Sequence, residues 1–221
     1  MTIKQLFVPS AHPTKHYRIL NEVYSAITHG IGFFLAVAGL VLLVIKASAT
    51  HEPIRIVTFA IYGSCLVLLY LFSTLYHSLI FTKARGVFQI FDHSSIFILI
   101  AGSYTPYTLV AIGGWRGWTM FGIIWALAIA GILYKILAKN QRQVFETLLY
   151  IFMGWMVITA SQPLAATMGP VGLWLLISGG IAYTFGALLY SMRGIKYIHV
   201  IWHVFVMIGS ILMFFSVYLY V

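Results

Sequence analysis

Seven stretches of this sequence are continuously apolar over about the 20 residues that a helix needs to cross a hydrocarbon core about 30 Å thick. They run approximately over residues 24–45, 54–80, 87–112, 115–138, 144–166, 171–192 and 196–220, and only short connections separate them. Strands of a membrane β-barrel alternate apolar and polar residues over about ten positions, a pattern these runs lack. The expectation is an all-α membrane protein, a single seven-transmembrane-helix bundle over residues 21–221 behind a short cytoplasmic tail, residues 1–20. Composition leaves no soluble alternative: 62% of the residues are hydrophobic and 8% are charged. The opening segment MTIKQLFVPSAHPTKHYRIL has no apolar core or small-residue cleavage site of a signal peptide, so it reads as retained. Cys65 is the one cysteine; inside the second run it reads as a small buried side chain.

A formal charge of +9 invites a nucleic-acid reading, yet the cations are scattered over short connections and not gathered into a patch. In a membrane protein they mark cytoplasmic loops instead. Lys4, Lys15 and Arg18 precede the first run; Lys83 and Arg85 follow the second; Lys135, Lys139 and Arg142 lie around the end of the fourth; Arg193 and Lys196 precede the seventh. Only Lys46, Arg55 and Arg116 fall on the other side. This asymmetry predicts a cytoplasmic amino terminus and a carboxyl terminus outside. Trp115, Trp118, Tyr218 and Tyr220 then sit at the outer interface, where amphipathic rings are favoured.

With that orientation, a rise of about 1.5 Å per residue assigns a depth to each polar side chain in the runs. His199 and His203 of YIHVIWHVFVMIGS lie roughly 5 to 10 Å inside the cytoplasmic face, and His77 of STLYHS roughly 5 Å inside, with Ser73 one turn deeper. Asp92 of FQIFDHSSIF lies roughly 7 Å in and is one of only four acidic residues in the chain. An ionisable residue within a span is costly and faces the bundle interior with a partner. The i, i+4 histidine pair stacks two imidazoles on one helical face, and His77 supplies a third nitrogen for a metal. Zinc in catalytic sites takes three protein ligands and keeps a fourth position for water, whose pKa falls to about 7. Asp92 suits the water's proton acceptor, and Ser73 a hydrogen-bond donor beside it. Hydrogen bonding of the same histidines to neighbouring helices is the structural alternative.

These segments, with NEVYSAITHGIG in the first run and FDHSSIFILIAGSYTP in the third, resemble the progestin and adipoQ receptor family, and within it the bacterial hemolysin III branch. The resemblance implies seven helices with a cytoplasmic amino terminus and a bacterial inner (plasma) membrane location. In the adiponectin receptors of that family three histidines matching His77, His199 and His203 hold zinc (Zn2+), with a serine and an aspartate matching Ser73 and Asp92 near its water. Those receptors and the related alkaline ceramidases point toward amide hydrolysis of a lipid. The chain has no long amino-terminal domain of the animal receptors, so hormone binding is not implied.

Glu22, Ser25 and His29 follow at i, i+3 and i+7 on one face of the first helix. They read as an outer shell that orients a ligand or Asp92, or equally as a hydrogen-bonded helix start; asparagine is common in the family where Ser25 stands. His93 points about 100° away from Asp92 and so away from the metal. Glu146 reads as the ion-pair partner of Arg142, and Tyr104 with Pro106 as a kink. The leading expectation is a zinc-dependent intramembrane hydrolase of a lipid amide, or ester, with Asp92 and Ser73 catalytic. A lipid-homeostasis regulator with a structural metal and a membrane lipid as ligand is the second, and a proton-relaying transporter or channel the third. Retinal chemistry is excluded because the seventh run has no lysine at mid-membrane depth.

Overall fold

The computed structural model describes residues 14–138, 143–192 and 195–221, and all of its regular structure is helical. Lys4, Lys139, Arg142 and Arg193 lie outside the described residues. Helix α1 spans Lys15–Ser48, α2 Pro53–Ser78, α3 Arg85–Pro106, α4 Gly114–Leu137, α5 Gln143–Trp155, α6 Ser161–Ser191 and α7 Ile198–Tyr220. The first helix therefore begins inside the segment read as a tail. Its Thr14 hydroxyl accepts from Tyr17 N at 3.2 Å and caps the free amide end. Pro53 opens α2 where a missing N–H costs nothing.

Six continuous helical stretches among the described residues are long and apolar enough to cross a membrane. The stretch Val144–Ser191 has 48 residues and would extend to about 70 Å if straight, more than twice a hydrocarbon core. It is not straight. A 3-10 turn over Met156–Ala160 links α5 to α6, and Gly169 adopts φ 68°, ψ 178° just before Pro170, which divides α6. The expected irregularity in α3 takes the form of a π-helical turn, Tyr107–Ile112, immediately after Pro106 and closed by Gly113 at φ 64°. Tyr104 joins the two irregular regions. Its hydroxyl lies 2.8 Å from the carbonyls of Met153 and Gly154 and accepts from Val157 N at 2.7 Å.

Helix α1 packs along α2, α2 along α3 and α6 along α7, and α1 also meets α7. In an apolar 18-residue window of Arg85–Ile112, 61% of the residues are buried, against 22% in that of Gly114–Leu137, so α3 is an inner helix and α4 a peripheral one. Large apolar side chains such as Ile31, Phe34, Leu35 and Ile45 on α1 face outward, a surface suited to lipid and not to water. Helices α1 and α7 run parallel. At one end Tyr17 Oη of α1 accepts from Tyr197 N at 2.9 Å. At the other, Lys46 donates to the carbonyl of Tyr218 and lies 4.7 Å from its ring centroid, while Arg55 donates to the carbonyl of Val221. Those two cations satisfy carbonyls at the end of α7 that have no partner within the helix.

Candidate metal centre

The end of the bundle marked by Tyr17 and Tyr197 holds a cavity of about 420 Å³ lined by residues from α1 to α7. Its chemistry starts from the i, i+4 spacing on α7, which sets the His199 and His203 rings 4.6 Å apart. His77 comes across from α2, with ring centroids 4.8 Å and 4.9 Å from those two. One nitrogen from each of the three lies within 4.8 Å of the others, and His77 Nε2 is 3.0 Å from His199 Nε2. Two imidazole nitrogens on one tetrahedral zinc would be about 3.3 Å apart. The group could hold a metal ion.

The outward-facing ring nitrogens decide which way the lone pairs point. His77 Nδ1–H donates to Glu22 Oε2 at 2.7 Å, which assigns the lone pair to the Nε2 that faces His199. His203 Nδ1–H donates to the backbone carbonyl of Ser25 at 3.2 Å, with the Thr28 hydroxyl 3.4 Å away, and leaves its Nε2 free as an acceptor. Histidine ligands of metals are held by such contacts to carboxylates and carbonyls. One turn and a half of α1, from Glu22 to Thr28, thus supplies both restraints.

The rest of the expected outer shell behaves differently. Ser25 contributes its carbonyl, while its Oγ has no partner among the described residues. His29 completes no hydrogen bond of normal geometry among the described residues; its ring stacks on His203 at 3.5 Å and 7°, with the edge of Tyr70 at 5.0 Å on another side. It forms a wall that limits rotation of His203. Ser73 and Asp92 line the cavity next to one another, within electrostatic reach of His77, and Ser73 Oγ completes no hydrogen bond of normal geometry. A buried hydroxyl left in that state is a ready donor or acceptor for a guest in the cavity.

Two charged residues of the cavity were not expected there. Lys135, counted among the flanking cations, is buried on α4, and its ammonium lies 3.0 Å from both carboxylate oxygens of Glu146 on α5. Glu146 is therefore the partner of Lys135. Three of the four acidic residues, Glu22, Asp92 and Glu146, line this one cavity, and the fourth, Glu52, pairs with Arg55 at the other end. Acids this scarce in an apolar chain were the available signal for Glu146. Six cavity residues, Leu69, Ile96, Tyr150, Ala187, Trp202 and Val206, also line a deeper, mostly apolar pocket of about 100 Å³ between α2, α3, α5, α6 and α7.

Residues 17–214 match the sequence profile of a family described as Haemolysin-III related. Hemolysin-3 of Bacillus cereus is 45% identical over 203 residues, covering 92% of this chain and 93% of that protein. The Hemolysin-3 homolog of Bacillus subtilis is 43% identical over 204 residues, 92% and 96% of the two chains. The human Monocyte to macrophage differentiation factor is 28% identical over 202 residues, 87% of this chain and 81% of that one. With its apolar helices, the chain is an integral membrane protein, and a bacterial plasma membrane is consistent with it.

Proposed function

The chain belongs to the haemolysin-III related family, and on that premise we propose that it is a zinc-dependent intramembrane hydrolase of a lipid amide or ester. The observation that carries this reading is the convergence of three histidine nitrogens, two with their tautomers set from behind by Glu22 and the Ser25 carbonyl, on a cavity that continues into an apolar pocket. His77, His199 and His203 would hold the metal. Three neutral imidazoles suit zinc, and the polar cavity beside them leaves room for a water. Zinc bound there supplies Lewis acidity, lowering the pKa of water to about 7 and polarising a carbonyl.

The chain's own residues do the remaining work. Asp92 accepts the proton of the attacking water and returns it to the leaving group. Ser73, adjacent to Asp92, donates a hydrogen bond to the water or to the carbonyl oxygen. Glu22 and the Ser25 carbonyl keep His77 and His203 in the orientation their role requires. The deeper pocket takes apolar chain of the lipid, which enters sideways from the bilayer.

Seven spans form part of the proposal, with Val144–Ser191 making two crossings that meet at Gly169. Its support is the parallel course of α1 and α7, since helices that begin on the same side are separated by an odd number of crossings. The cation distribution sets the amino terminus, and with it the metal centre, toward the cytoplasm. In zinc-loaded protein, free fatty acid is expected to be released from a labelled ceramide or a labelled lipid ester. Stoichiometric metal with no release from either lipid would instead favour a structural metal tying α2 to α7, the regulator reading.

A further inference from the structure

Hydrolysis of a lipid ester at this site leaves a proton to be removed, whereas the amine freed from an amide takes that proton up itself. A C–O bond forms from water and the ester C–O bond breaks; Asp92 takes one water proton and gives it to the leaving alcohol oxygen. The other water proton stays on the new carboxylic acid until that group ionises, when Asp92, the nearest base, receives it. Asp92 must shed that proton before another water can be activated. A base beside Asp92 would carry it to the cavity water.

His93 is placed to do so. Its Nε2 lies 3.9 Å from Asp92 Oδ2, and its Nδ1 lies 3.9 Å from Glu146 Oε2, so each ring nitrogen faces a different carboxylate. Each gap exceeds hydrogen-bond length by about 1 Å, which a small tilt of the ring closes on one side at a time. The side chain of His93 is 26% exposed, against 13% for Asp92 and 7% for Glu146, and it lines the same cavity as both carboxylates. Its backbone is anchored, because Tyr150 Oη donates to the His93 carbonyl at 3.2 Å. The charged and titratable groups around it are Asp92 on its own helix, His77 and Tyr76 of α2, Lys135 of α4, Glu146 and Tyr150 of α5, and His199 of α7.

We propose that His93 is the proton exit of the site: it takes the proton from Asp92 on Nε2 and releases one to cavity water from Nδ1. An imidazole moves a proton in this way because its two nitrogens act in turn as acceptor and donor. Glu146 faces the Nδ1 side and steadies the cation formed in passing, and Lys135 compensates the charge of Glu146 when the ring is neutral. The buried ion pair is thereby tied to turnover. This inference rests on the hydrolase reading above.

The test uses zinc-loaded full-length protein in detergent with a fluorophore-labelled ceramide and a labelled lipid ester. His93→Ala is expected to lower kcat on the ester at neutral pH by about tenfold or more, with KM and metal content at wild-type values and turnover of the ceramide little changed. Imidazole added to the buffer should restore most of the loss, which a purely structural role would not allow. His93→Gln should show the same fall in kcat with the side-chain volume largely kept. Unchanged kcat on the ester in both variants, a loss that imidazole fails to relieve, or wild-type turnover of the ceramide alone would overturn the proton exit and leave the hydrolase reading intact. Wild-type protein that carries metal and releases fatty acid from neither lipid would overturn the hydrolase reading, and the proton exit with it.

Discussion

Asp92→Asn is expected to reduce lipid turnover by about 10²–10⁴-fold while metal content stays at the wild-type level. The substitution keeps the size and planarity of the side chain and removes its capacity to accept a proton. Asp92 is not among the residues that can bind the metal, so the ion should remain on His77, His199 and His203. Its neighbour Ser73 keeps its place on α2, and the cavity keeps its volume. Turnover assays paired with metal analysis on the same preparation separate the outcomes. Loss of metal together with activity would assign Asp92 a role in binding; retained turnover would remove it from the chemistry.

The second large effect is on stability. Lys135→Met should destabilise the protein by about 3–5 kcal/mol, because it leaves the buried Glu146 carboxylate without its compensating charge. Lys135→Met combined with Glu146→Leu should recover most of that loss, since a matched apolar pair of similar volume avoids desolvating either ion. Denaturant unfolding of the three proteins in the same detergent measures both numbers. Equal stability of the single and double variants would show that the pair is not coupled. The cost of an ion pair inside a bundle is itself an argument that this one is retained for its position at the cavity.

The helices were legible because a bilayer imposes one length and one polarity on every span, and those leave a plain trace in sequence. The histidine pair on α7 was legible because i and i+4 meet on one face whatever surrounds them. Lys135 escaped for the converse reason: near the end of an apolar run a lysine looks like a membrane-edge cation, and only its 3.0 Å contact with Glu146 across the α4–α5 connection shows that it points inward. Ser25 was singled out for its hydroxyl, yet it acts through a carbonyl, which every residue possesses and no sequence pattern marks. His29, read as an outer-shell group or as part of a hydrogen-bonded helix start, stacks its ring on His203, a contact between α1 and α7 that spacing within one helix does not mark. Tyr104, expected at a kink in its own helix, also binds the backbone of a break in another one, a long-range contact that local periodicity cannot encode.

The central claim is that three histidines from two helices form a metal centre, and metal content per chain tests it most directly. Full-length protein purified in detergent without chelators, wild type beside His203→Ala, would be analysed by elemental mass spectrometry. The account predicts about one zinc per wild-type chain and essentially none in the variant. No metal in wild-type protein, even after reloading, or an equal amount in both proteins, would contradict it.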